Sequence, residues 1–158
     1  MATKHEKMQR MIRWCREEMK MKDVTMHDVA TFAMKKGWKL PTPPNPMDML
    51  AKEFATAARE EMRVDKKTKR SYRVNHCFGD PEQGMRWFDI DDAAPRYKMV
   101  KAVGHRRDQM IGDGLQLTLD VEHWNSINPK EEPIKPDMDL TDEIEWRKNA
   151  PNEDKKAS

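Results

Sequence analysis

Five cations crowd one short stretch of this chain. Lys66, Lys67, Lys69, Arg70 and Arg73 lie between Val64 and Asn75, against Asp65 as the single acid. Closely spaced cations on a turn can neutralise phosphates, and Tyr72 beside them could lie against sugar or backbone. The matching chemistry is a nucleic-acid backbone, although a solvated polar turn uses the same residue types. Reading bases would need side chains at the start of a helix. Thr42 and Asn45 are the candidates there, with Arg59 farther along the same helix.

The remaining reactive residues form no catalytic set. His76 and Cys77 are adjacent, so a strand would point them to opposite faces. His5, His27, His105 and His123 are scattered without ligand spacing. Asp89, Asp91 and Asp92 follow a strand-like run, where acids can hold a divalent ion. Capping the next helix is their simpler use. Neither a glycine-rich phosphate loop nor a nucleophile elbow is present. The expectation is a protein that is not an enzyme and uses no cofactor and no metal.

The elements that would position these residues are marked by start and stop signals. Residues 4–20 place Met8, Met11, Ile12, Cys15 and Met19 at helical spacing, with Trp14 off the stripe. Thr25 and Asp28 form a capping box for a second helix, Val24 and Val29 a staple, and Gly37 a stop. Four prolines between Pro41 and Pro46 forbid regular structure until Asn45 caps a third helix, about Pro46 to Arg63. That helix puts Leu50, Phe54, Ala57, Ala58 and Met62 on one face. The basic hairpin follows, with Tyr72 to Phe78 as the middle strand of an antiparallel meander that ends in Met85 to Ile90.

A fourth helix is expected from about Ala94 to Asn125. Leu115, Leu117, Leu119 and Val121 alternate as a strand would, but Met99, Val103, Met110, Leu117, Val121 and Trp124 follow a helical stripe. Glycine costs only about 1 kcal/mol inside a helix, so Gly112 and Gly114 do not forbid one. Beyond Pro129 lies an acidic arm in which Thr141 can cap a short helix. After Asn149 the chain reads as disordered.

The formal net charge of +2 conceals an asymmetry. Residues 1–111 hold 24 Lys and Arg against 16 Asp and Glu, whereas residues 112–158 hold 6 against 12. A basic body can face an anionic partner, and the basic start of the fourth helix (Arg96, Lys98, Lys101, Arg106, Arg107) can pair with the arm in cis. No apolar run approaches the roughly 20 residues of a membrane span. Two cysteines make a disulfide framework improbable and fit a reducing compartment. A cytoplasmic location without a membrane partner is expected.

Residues 24–75, two helices followed by a charged hairpin, resemble a winged helix-turn-helix in arrangement. From about His105 to Trp146 the chain resembles a set of uncharacterised bacterial hypothetical proteins. That likeness is carried by RRDQMIGDGLQLTLDVEHWNSINP, EEPI and MDLTDEIEW, and it implies one continuous central helix and no particular activity. The fold expected is α+β: a winged-helix-like domain over residues 1–92 with a small antiparallel sheet, a long helix over 93–128, and an acidic arm over 129–158. The first functional expectation is binding of double-stranded DNA with modest sequence selectivity. Lys66, Lys67, Lys69, Arg70 and Arg73 would contact phosphates, and Thr42, Asn45 and Arg59 would extend the site. The alternative is a protein-interaction or dimerisation module built on Leu117, Val121 and Trp124 of the long helix. The third helix, with a net charge of −1, counts against the first.

Overall fold

Each of the first three helices begins where a side chain can accept from the orphaned N–H groups. α1 (Lys4–Met19) starts at Thr3, whose hydroxyl accepts from Glu6 N at 3.2 Å while Glu6 accepts from Thr3 N at 2.6 Å. α2 (Met26–Lys35) repeats the device with Thr25 and Asp28, as the spacing led us to expect. α3 (Pro46–Glu60) opens on Asn45, whose Oδ1 accepts from Met47 N at 2.9 Å. α2 stops at Gly37, which sits at φ +90°. There Gly37 N donates to Met34 O at 3.0 Å and Trp38 N to Ala33 O at 2.9 Å. These are the two bonds of a Schellman ending.

The computed structural model describes residues 1–150. The chain divides into two compact units, Met1–Leu50 and Ala51–Ser158, with the division inside α3. In the first unit α1 lies on α2 around Cys15, Val29 and Phe32, with Met11, Ile12 and Val24 half-buried beside them. Trp14 leaves the α1 stripe to stand edge-on to Phe32, ring centroids 5.3 Å apart. Lys36 caps that pair, its Nζ 4.7 Å from the Trp14 centroid and 3.2 Å from Glu18. The apolar face expected to bury α3 is open instead, for Leu50, Phe54 and Met62 are all exposed.

The second unit is built on two antiparallel ribbons. β1 (Met62–Val64) pairs with β2 (Ser71–Arg73), and β3 (Asn75–Asp80) pairs with β4 (Gly84–Asp89). The single meander read from the sequence is therefore divided, and Val74 is where it divides. Val74 N donates to Glu61 O at 3.1 Å, and Val74 O accepts from Ile90 N at 2.9 Å, so the chain changes partners at this buried residue. α3 ends at Glu60, short of Arg63, because Met62–Val64 are taken into β1.

β3 turns His76 and Phe78 inward, with Cys77 on the opposite face. α4 (Arg96–Ile127) packs on β3 and buries Ala102 there. His76 Nε2 lies 2.9 Å from Arg73 O, and a carbonyl only accepts, so Nε2 carries the proton. α4 runs through Gly104, Gly112 and Gly114 as one helix of 32 residues, about 48 Å long. α5 (Thr141–Asn149) starts one residue earlier than its expected cap implies. Asp139 Oδ1 accepts from Thr141 N at 3.1 Å, making Thr141 the first helical residue. The disorder expected after Asn149 concerns residues 151–158, outside the described residues.

Candidate functional site

The cations of the β1–β2 turn are presented by a local frame. Asp65 Oδ1 accepts from Lys67 N at 2.7 Å and Thr68 N at 3.1 Å. Asp65 N donates to Arg70 O at 2.8 Å, which closes the turn with Lys69 in the left-handed region at φ 61°. Lys66, Lys67, Lys69, Arg70 and Arg73 are all exposed. Arg70 also reaches across to α5, donating to Asn149 Oδ1 at 2.7 Å. Arg59 lies 5.4 Å from the Trp87 ring centroid, and Asn45 spends its carbonyl oxygen on the α3 cap. Thr42 and Asn45 belong to the first unit, the hairpin cations to the second.

Beside the turn, a clasp uses acids that the sequence had offered to a metal or a helix cap. Arg63 forks onto Asp89, with NH1 to Oδ1 at 3.0 Å and NH2 to Oδ2 at 2.7 Å. The same NH1 reaches Asp91 Oδ2 at 2.7 Å, and the Tyr72 hydroxyl donates to that oxygen at 2.7 Å. β1, β2 and the end of β4 are thereby tied together. Both carboxylates are thus engaged by one guanidinium. α4 in turn starts at Pro95 without a side-chain cap, so Asp91 does not serve that role. The Arg63 hydrogen bonds hold Asp89 below the usual carboxylate range, and the Tyr72 and Arg63 bonds do the same for Asp91. The bond to Asp91 pushes the Tyr72 phenol up from its ordinary value.

The long helix presents the second candidate surface. At about 100° per residue, Met110, Leu117 and Trp124 fall on one flank of α4, and Ile111, Leu115 and Leu119 on the other. Between the flanks runs a seam of Gly114, Thr118, Val121 and Asn125, all half-buried. The arm lies in that seam. Asn125 Nδ2 donates to Ile134 O and its Oδ1 accepts from Ile134 N, both at 2.9 Å. Farther along, a methyl at Gly114 would come within 3.1 Å of Met138 Cε, so glycine leaves the room this side chain uses. The arm thus runs back along α4, antiparallel to it.

Both flanks remain open. Leu117 is 46% exposed and Trp124 38%, while Ile111, Leu115 and Leu119 are 51–59% exposed. Of the three interaction residues chosen from the sequence, Leu117 and Trp124 share one open flank and Val121 sits in the seam. The second flank was not among them. Its signal was present, because Leu115 and Leu119 alternate with Leu117 and Val121. The expected ion pairing between the basic half of α4 and the arm does not occur among the described residues. Lys98 and Lys101 instead lie near the Phe78 and Tyr97 rings.

No protein-family model, curated protein or solved structure matches this chain. Among the described residues no helix is long and apolar enough to cross a membrane, and no three His, Cys, Asp or Glu side chains are grouped to hold a metal ion.

The clasp has a pH window set by its members. Asp89 and Asp91 have lowered folded values, so their contribution is complete above about 3.9 and is lost as pH falls through those values. Tyr72 is raised, so its contribution is complete below about 10 and is lost as pH rises through its folded value. In a Tyr97→Phe background, where Tyr72 is the only tyrosine, phenolate absorbance should titrate above the ordinary tyrosine value. Asp91→Ala should bring that titration back down. An unchanged curve would dissolve the clasp.

Proposed function

We propose that this chain is a self-association module in which α4 packs against α4 of another copy. The observation that carries the reading is a helix of 32 residues with one buried side chain, Ala102. An apolar stripe on a helix is ordinarily turned toward a neighbouring element that covers it. The arm fills the seam and leaves a flank open on each side. Full burial of a large apolar side chain is worth about 1.5–3 kcal/mol. Half-exposed flank residues therefore retain about 1 kcal/mol each. With both flanks covered, six of them on each of two copies amount to roughly 12 kcal/mol gross, comparable with the association cost of about 4–15 kcal/mol. The association is accordingly concentration-dependent, micromolar at its tightest.

A double substitution on one flank separates this reading from a lone chain. Leu117→Asp with Trp124→Asp should lower the mass of an assembled protein in sedimentation velocity and leave the helical circular dichroism intact. A wild-type chain that sediments as monomer at 100 μM, about a hundredfold above that limit, would end the proposal.

A second reading, binding of double-stranded DNA, has its own observation. Lys69 and Arg70 of the turn and Arg147 and Lys148 of α5 line one cleft of about 280 Å³, with no acid in its lining. Lys66 and Lys67 extend that basic surface. The reading ranks second because Arg59 and Tyr72 have partners within the chain and α3 is net acidic. Anisotropy with a fluorescent duplex at two salt concentrations tests it. The log–log slope should be roughly −0.9 per phosphate neutralised, and Lys66→Ala, Lys67→Ala and Lys69→Ala together should reduce it by about 3 units. A slope near zero would exclude it.

A further inference from the structure

The first unit holds an apolar groove of about 270 Å³ between α1, α2 and the segment after α2. Met8 and Met11 line it from α1, Met26, Ala30 and Met34 from α2, and Leu40 from beyond the Schellman turn. That turn sets the third wall, because the Trp38-to-Ala33 bond swings residues 38–41 back along α2. Four thioethers facing one space make a compliant surface that favours an aromatic guest, since sulfur at a ring edge is attractive.

The rim of this groove is basic. Segments 4–12 and 26–41 flank it; of their cations Lys39 lines the groove, and Lys4 and Lys7 stand one turn before Met8 and Met11 on α1. Their two acids, Glu6 and Asp28, are committed to the capping boxes. The occupant should therefore be an aromatic side chain set among carboxylates. The chain itself carries such a segment. Residues 137–145 contain Asp137, Asp139, Asp142, Glu143 and Glu145 and no cation. α5 then displays Trp146, which is 72% exposed, with Asp142 and Glu143 one turn before it on the same face.

We infer that the methionine-lined groove of one copy receives α5 of a second copy, with Trp146 as its anchor and the acidic residues around it facing the lysine rim. This deepens the self-association reading and rests on it. Groove and anchor are different surfaces, so the contact is heterologous and joins copies head to tail. It also follows a known mode, in which a helix lays one apolar side chain into a hydrophobic groove.

The experiment uses the full chain carrying Leu117→Asp and Trp124→Asp, so that α4 contacts are absent and the groove contact is read alone. Ala30→Arg closes the groove from an exposed helical position, and Trp146→Ala removes the anchor from an exposed one. A fluorescein-labelled peptide of residues 129–150 is titrated onto the Trp146→Ala form. It should bind saturably, and Ala30→Arg or the Trp146→Ala peptide should weaken it at least about tenfold. In sedimentation, Ala30→Arg chains alone and Trp146→Ala chains alone should be monomeric, whereas their mixture should form one-to-one pairs. Absence of peptide binding, or binding indifferent to Ala30→Arg, overturns the inference. Peptide binding with a mixture that stays monomeric also overturns it, because the groove then takes α5 of its own chain. Failure of the α4 reading appears separately, as unchanged wild-type mass when only the α4 substitutions are made.

Discussion

α4 sets the problem that the second unit has to solve. Its apolar residues cover far more of the helix than a single neighbour can shield, and water cannot be left against them without cost. β3 covers the first part, where Ala102 is buried. The arm covers a narrow seam farther on, held at Asn125 and at Gly114. The arm is thin because it is extended chain that presents one side chain at a time to the helix. It shields a seam and cannot shield two flanks. The surface left over is what the proposed self-association would cover.

The polar groups of the second unit are largely spent on holding it together. Val74 joins two ribbons that share no strand, using its N–H for one and its carbonyl for the other. The Arg63 fork and the Tyr72 hydroxyl then fasten those ribbons from the side through Asp89 and Asp91. The clasp is exposed, so its value lies in geometry more than in energy. It also removes from any ligand site the acids and the tyrosine that the sequence had offered. Among the described residues the hairpin lysines have no ion-pair partner, which is why the DNA reading survives as the second.

Local signals were legible and distant ones were not. Thr25 with Asp28, Asn45 with Pro46, and Gly37 all act within a few residues of themselves, and each does what its spacing implied. The continuous α4 was legible as well, because two glycines weigh little against a long apolar stripe. Leu115, Leu117, Leu119 and Val121 looked like a strand for a physical reason. A helix with apolar residues on two flanks also alternates over a short run, and that ambiguity was the sign of a second face. The partners of Arg63 were beyond reach, since they lie 26 and 28 residues away. So was the division at Val74, which depends on two carbonyl and amide partners that no pattern specifies. Asn125 read as a helix stop and proved to be a clamp for Ile134, because an amide side chain serves either role.

Backbone exchange along α4 tests the central claim most directly. A helix that packs against a second copy should have its amides protected in proportion to assembly, because opening then requires separation of the copies. Hydrogen–deuterium exchange of residues 110–124 should therefore slow as the protein is raised from 1 to 100 μM, a range that brackets micromolar association. Exchange across β3 and β4 should change little. Equal exchange of residues 110–124 at both concentrations would mean that α4 stands alone, and would contradict the account.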